Sequence, residues 1–159
     1  MISRLNFRII ILFLMVFGSV SAYSQGLEDA LTLPNGLTFA VSGGYWTEER
    51  EVDGAKVDAG GYYRLTSIMR EDKTSVLVLQ KIENTDQGPQ QALTIDIEEI
   101  SNMNAYITDM RPESSLGSAT APGFAAYVYL KTDLNTAEPE TYSVYIDDLD
   151  DIYVEPASN

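Results

Sequence analysis

The sequence lacks cysteine and histidine altogether across its 159 residues. Without cysteine there are no disulfide bonds, thiolate nucleophiles or cysteine-ligated metals, and no lipid-modified cysteine of the kind that tethers bacterial lipoproteins. Without histidine there are no Ser-His-Asp or Cys-His catalytic arrangements and no imidazole metal sites. Any chemistry must therefore rely on carboxylates, hydroxyls, basic side chains or a bound cation.

Basic residues are scarce as well. Ten Lys and Arg residues stand against 24 Asp and Glu residues, which gives a formal net charge of −14 at pH 7. A surface this acidic repels nucleic acid and anionic membranes, whereas it attracts cations and tolerates neutral ligands. We expect no nucleic-acid partner.

A long apolar run occurs only near the N-terminus. Residues 9–17 are all apolar, arginines at positions 4 and 8 precede them, and mostly small residues follow up to Ala22. This order is typical of a secretory signal peptide, residues 1–22, with cleavage after Ala22 or Ser24. A membrane anchor is the alternative, but the run is shorter than the roughly 20 residues that a spanning helix needs. We therefore expect an exported protein, periplasmic or extracellular, whose mature form has no membrane span.

Residues 60–82 organise the predicted fold. Two β-prone runs flank a short polar segment at residues 71–74, which predicts an antiparallel hairpin. Residues 76–79 are apolar on both faces, so we expect their strand to be central and covered on both sides. The charged residues 47–59, which contain Asp53-Gly54, predict either a hydrated loop or a hairpin tip.

Further segments alternate between apolar and polar residues, among them residues 37–42, 93–98, 124–131 and 141–147. In the second of these, Leu93, Ile95 and Ile97 should face the core. Together these segments predict an all-β, single-domain antiparallel β-sandwich, jelly-roll or immunoglobulin-like, over residues 26–156, with residues 157–159 as a tail. An up-and-down β-barrel is the alternative, because most connections look like simple hairpins.

Tyrosines follow the outward positions of two predicted strands. Tyr127 and Tyr129 share one face, and Tyr145 lies on the corresponding face of the next strand. If the strands pair, these rings form a flat platform that could stack on sugars, with nearby carboxylates accepting hydrogen bonds from hydroxyls. The alternative is cross-strand stabilisation by residues of high β-propensity. Trp46, next to two glycines, is either a binding aromatic in a loop or a core residue.

The C-terminal end is strongly acidic. After Lys131 the chain contains eight acids and no basic residue. A divalent cation would relieve the repulsion, and calcium prefers oxygen ligands. The predicted ligands are the aspartates of one short turn: Asp147, Asp148, Asp150 and Asp151. The alternative is a solvated acidic turn that protects a sheet edge from pairing.

Catalytic signatures are missing from the sequence. Glycoside hydrolysis needs two carboxylates at a set separation. Acidic residues are so abundant here that the presence of a pair does not indicate a catalytic site. No glycine-rich phosphate loop follows a strand and opens a helix, and no Gly-x-Ser-x-Gly motif occurs. A chain this short also leaves little room for a deep cleft, so we expect no enzymatic activity.

Residues 144–149, Val-Tyr-Ile-Asp-Asp-Leu, resemble the closing strand of jelly-roll carbohydrate-binding modules. The resemblance implies that Asp147 or Asp148 joins a structural calcium site, together with Glu28 or Asp29.

The combined hypothesis is an exported, non-catalytic binding module for extracellular glycan, with a structural calcium. The alternative is a structural or assembly protein of the bacterial cell surface or periplasm. Such a protein would bind a protein partner through a sheet edge or through the loop predicted at residues 111–123.

Overall fold

The computed structural model describes residues 22–113 and 121–157. The predicted export leader therefore lies outside the described residues except for Ala22. Helix α1 (Ala22–Leu31) belongs to a unit of its own, and a second compact unit begins at Gly36. The sequence pattern did not predict this helix, which is explained by the helix-forming residues Leu27, Glu28 and Ala30. Neither helix in the described parts of the chain is long and apolar enough to cross a membrane.

The first four strands form one antiparallel sheet in the order β1-β2-β3-β4. Their bounds are β1 (Leu37–Val52), β2 (Ala55–Met69), β3 (Ser75–Thr85) and β4 (Gly88–Asp96). The hairpin predicted over residues 60–82 is confirmed as β2 and β3, with Leu65 opposite Leu79. Strand β3 is central, as predicted. Leu77 and Leu79 are buried on its inner face, while Val76 and Val78 on the other face are only half-buried.

The last four strands form the second antiparallel sheet, in the order β5-β6-β7-β8. The one-turn helix α2 (Glu98–Ser101) leads into it, and its strands are β5 (Tyr106–Pro112), β6 (Phe124–Lys131), β7 (Glu140–Ile146) and β8 (Ile152–Pro156). Part of the loop predicted at residues 111–123 lies outside the described residues, and Arg111 and Pro112 belong to β5.

The predicted all-β sandwich is confirmed, because the eight strands form two separate four-stranded sheets. Each sheet is a simple meander of consecutive strands. Jelly rolls and immunoglobulin domains instead use Greek-key connections that pass between sheets. This chain completes one sheet before it begins the other.

The core lies between the inner faces of the two sheets. Its fully buried side chains include Tyr63, Leu65 and Leu77 from the first sheet, and Val128 and Leu130 from the second. The prediction that Leu93, Ile95 and Ile97 all face the core is only partly right. Ile97 is buried and Ile95 half-buried, but Leu93 is 46% exposed because β4 lies at the edge of its sheet.

A bulge in β1 brings the two sheets into backbone contact. The register of β1 shifts between Gly43 and Trp46. Gly44 has φ +60°, and next to it Tyr45 exchanges backbone hydrogen bonds of 2.9 and 3.2 Å with Gly123. A Cβ atom on Gly44 would lie 1.9 Å from the carbonyl oxygen of Gly123. Only glycine allows this close approach.

The charged segment after Trp46 is a hairpin tip, which settles the choice left open by the sequence. Strand β2 pairs with β3 only from Gly61 onward, so its earlier residues pair with β1 alone. Asp53 and Gly54 have φ of 52° and 77°, as in a type I′ turn. The result is an exposed two-stranded ribbon, in which Val52 and Val57 are 52% and 47% exposed.

Candidate functional site

The tyrosines predicted to share a surface lie together on the outer face of the second sheet. In β6, Val128 and Leu130 point into the core, so Tyr127 and Tyr129 point outward, where they are half-buried. Tyr127 lies opposite Ser143, and Ala125 lies opposite Tyr145. Tyr127 and Tyr145 are therefore diagonal neighbours, with side chains about 7–8 Å apart at their bases.

A shallow groove of about 370 Å³ lies between these two rings. The small side chains of Ala125 and Ser143 form its floor, because each stands across the ladder from one of the tyrosines. Two exposed carboxylates, Glu113 and Glu155, also line it. We call this feature the tyrosine groove; its remaining lining residues are Pro156 and Ala157.

Tyr153 fixes the orientation of one wall, a role that the sequence did not reveal. Its ring lies 4.6 Å from that of Tyr145, at an interplanar angle of 10°. The two rings are therefore nearly parallel and stacked on each other. The Tyr153 hydroxyl donates to Asp147 Oδ2 at 3.2 Å. This hydrogen bond and the nearby charge of Asp147 raise the pKa of Tyr153. Tyr145, stacked on Tyr153, forms one side of the groove.

Tyr129 lies beside the groove rather than in it. The Arg111 guanidinium lies 5.2 Å from the centre of its ring, and Arg111 Nε donates to Asp109 Oδ2 at 2.7 Å. This contact is a cation–π interaction on the protein's own surface. One face of Tyr129 is therefore already covered. At the groove itself, the Tyr127 hydroxyl lies 3.4 Å from Glu113 Oε1.

Trp46 is a core residue, so its assignment to a binding surface was wrong. Its side chain is only 2% exposed, and its Nε1 donates to the carbonyl oxygen of Ile82 at 3.2 Å. Lys81 Nζ lies 4.5 Å from the centre of the Trp46 ring. Burial of the largest apolar side chain outweighs the effect of the neighbouring glycines.

The four aspartates predicted to bind calcium occupy the turn between β7 and β8, but two of them make internal hydrogen bonds. Asp147 Oδ1 accepts from the backbone nitrogens of Leu149 and Asp151, at 2.9 and 3.0 Å. Asp150 faces the first sheet instead. Among the described residues, no three or more acidic side chains come together in a way that could hold a metal ion. Calcium binding by Asp147, Asp148, Asp150 and Asp151 stays a prediction without geometric support.

Asp150 forms a hydrogen-bonded network with the opposite sheet. Its Oδ1 accepts from the Tyr63 hydroxyl at 2.6 Å, and its Oδ2 accepts from Lys81 Nζ at 2.8 Å. Tyr63 belongs to β2 and Lys81 to β3, so this carboxylate joins the β7–β8 turn to the first sheet. We call these three residues the inter-sheet clasp.

Electrostatics in the clasp favour a neutral tyrosine and a charged aspartate. Burial, followed by the hydrogen bond to Asp150, raises the pKa of Tyr63. Burial alone would raise the pKa of Asp150. The hydrogen bonds from Lys81 and Tyr63, together with the charge of Lys81, outweigh that effect and hold the pKa below its usual value. At neutral pH the clasp therefore pairs an ammonium and a carboxylate.

No family model, curated protein or solved structure matches this chain. The resemblance to carbohydrate-binding modules consequently rests on residues 144–149 alone. These residues form the end of β7 and the start of the aspartate turn, and Tyr145 among them lines the tyrosine groove.

Proposed function

We propose that this protein is an exported, non-catalytic binding module, and that the tyrosine groove holds a sugar ring of an extracellular glycan. The observation that carries the proposal is the pair of outward rings, Tyr127 and Tyr145, on either side of the small residues Ala125 and Ser143.

The shape and chemistry of the groove suit a sugar. A pyranose ring has apolar C–H faces that stack on aromatic rings, and a rim of hydroxyls that donate to carboxylates. The walls offer the rings, and Glu113 and Glu155 offer the acceptors. The volume, about 370 Å³, falls at the small end of the range for ligand sites, roughly 300–1,000 Å³. An open groove of this size covers only part of a ligand, so we expect weak binding.

Binding without catalysis fits the same geometry. A glycosidase needs one carboxylic acid in a buried, desolvated environment, opposite a second carboxylate. Glu113 and Glu155 are both exposed. The groove is also open to solvent and would not exclude water from a reacting bond.

Retention on insoluble polysaccharides tests this proposal. We expect the mature protein to be retained by at least one of a panel of neutral and amino-sugar polymers. Tyr145→Ala removes one wall and should weaken binding about tenfold, which corresponds to about 1.4 kcal/mol. The control is Tyr106→Ala, since Tyr106 is half-buried at the far end of the same sheet. The proposal fails if no polymer retains the protein, or if Tyr145→Ala binds as the unmodified protein does.

The exposed hairpin tip favours a second candidate, a structural or assembly role at the cell surface. Val52 and Val57 are both about half exposed on a ribbon that β3 does not cover. A ribbon of this kind can pair with a partner through its backbone edge. Concentration-dependent self-association without glycan binding would favour this role over the first.

A further inference from the structure

The charges that line the tyrosine groove all have one sign. Glu113 and Glu155 are its only charged lining residues within the described parts of the chain. The nearest described cation on this face, Arg111, is paired with Asp109 and lies over Tyr129. The groove therefore presents two carboxylates without a cation of the protein directed into it.

The surroundings increase this negative potential. Asp147 lies behind the groove wall, where it accepts the hydrogen bond of Tyr153. The whole segment after Lys131 contains acids and no basic residue. Clefts lined by one sign of charge concentrate ligands of the opposite sign.

The walls of the groove also attract cations. The face of a tyrosine ring carries negative charge density, so an ammonium or guanidinium group binds above it. On this same sheet face, Arg111 already makes such a contact with Tyr129. Tyr127 and Tyr145 offer equivalent rings beside Glu113 and Glu155, which no cation of the described residues pairs with.

We infer that the tyrosine groove selects glycans with free amino groups, that is, polymers of hexosamine units that are not acetylated. This inference rests on the proposed function and specifies its ligand. The sugar ring stacks between Tyr127 and Tyr145, and its ammonium group pairs with Glu155 or Glu113. Acetylation removes the charge but leaves the ring, so it should weaken binding without abolishing it. Uronic acid polymers should be repelled.

Calorimetric titration with three soluble oligomers of equal length tests this selectivity. The probes are a glucosamine hexamer, an N-acetylglucosamine hexamer and a galacturonic acid hexamer. A mildly acidic, low-salt buffer keeps the sugar amines protonated and limits the screening of charges. We expect the glucosamine hexamer to bind at least tenfold more tightly than its acetylated form. The preference should shrink as salt is added, because the groove is open to solvent.

Charge-neutral variants show which side chains cause the preference for the free amine. Glu155→Gln and Glu113→Gln keep the shape of the groove, so each should reduce the preference for the free amine several-fold. Binding of the acetylated hexamer should fall less, because the amide oxygen of Gln still accepts hydrogen bonds from sugar hydroxyls. Glu71→Gln is the matched control. It removes one exposed carboxylate from the turn between β2 and β3, in the other sheet, and changes the net charge equally.

The possible outcomes separate this inference from the proposed function. Equal affinity for both hexamers would overturn the amine selectivity and leave glycan binding intact. An effect of Glu71→Gln as large as that of Glu155→Gln would also overturn it, since the attraction would then come from net charge alone. Failure of both hexamers and of every polysaccharide would remove the two proposals together.

Discussion

Asp150 shows how one polar residue can join the two halves of this fold. It has φ +65°, a left-handed conformation that aspartate adopts more readily than most non-glycine residues. From this turn its carboxylate accepts hydrogen bonds from Tyr63 and Lys81 of the first sheet. The Lys81 side chain is only 11% exposed, so loss of Asp150 would leave its ammonium group largely buried without this partner.

Asp150→Asn should therefore destabilise the protein at neutral pH, and the effect should depend on pH. The pKa of Asp150 is lowered in the folded state. The stability that its charge contributes is thus fully present above the unfolded pKa of about 3.9. It is lost as the pH falls through the lower folded value. We expect a loss of about 1 kcal/mol at pH 7, discounted because half of the Asp150 side chain is exposed.

Thermal melting between pH 7 and pH 2 measures this difference. The gap between the two proteins should begin to narrow below about pH 4. It should close as the pH falls through the lowered pKa of folded Asp150, where the unmodified carboxylate is also neutralised. The control is Asp148→Asn, in the same turn and exposed, which should change the midpoint little. A gap that persists unchanged into acid would contradict the role given to Asp150.

The face of the sheet to which a side chain points was predictable where it follows from the apolar–polar alternation of a strand. The shared outward face of Tyr127, Tyr129 and Tyr145 was predicted in this way, and the register of β6 and β7 bears it out. The same alternation applied to β3 places Lys81 on the inner face with Leu77 and Leu79. An inward lysine is a signal for a buried ion pair, but its partner lies 69 residues away and only the fold shows it.

At the scale of elements, the bulge of β1 decides where the first sheet meets the second. Gly44 and Gly54 both have positive φ, but their surroundings differ. A Cβ atom at Gly54 would meet open space, whereas at Gly44 it would collide with the backbone of Gly123. Alanine variants at these two glycines therefore distinguish two contributions to the free energy of unfolding. One is the strain of a positive φ, and the other is the loss of the contact between the sheets.

Gly44→Ala should destabilise the protein by on the order of 2–4 kcal/mol, because it adds a backbone collision to the strain of positive φ. Gly54→Ala should cost only about 1 kcal/mol, from the strain alone. For a domain of this size, the difference corresponds to several degrees in melting temperature. Equal midpoints for the two variants would show that the Tyr45–Gly123 bridge contributes nothing to stability.

At this scale, the hairpins between neighbouring strands were predictable from the sequence, whereas the order of the strands in the sheets was not. Local alternation and turn residues such as Asp53-Gly54 specify which neighbouring strands pair. The choice among jelly-roll, immunoglobulin-like and meander topologies depends on long-range contacts, such as that between Tyr45 and Gly123. Helix α1 was missed because its tendency lies in residue propensities rather than in a periodic apolar face.

For the whole molecule, the amino-acid composition disfavours some classes of partner but does not identify one. The net charge of −14 makes anionic partners unfavourable, and the fold directs part of that charge to one aromatic surface. Export remains a prediction from residues 1–22, which lie outside the described residues apart from Ala22. We propose that the outer face of the second sheet, between Tyr127 and Tyr145, binds sugar.

A nuclear magnetic resonance titration tests that claim most directly. The backbone amide spectrum of the mature protein would be followed as the glucosamine hexamer is added. We expect the shifts to be concentrated at the groove, at Ala125, Tyr127, Ser143 and Tyr145, with the first sheet unchanged. Shifts centred on the first sheet or on the hairpin tip at Val52 and Val57, or no shifts at all, would contradict it.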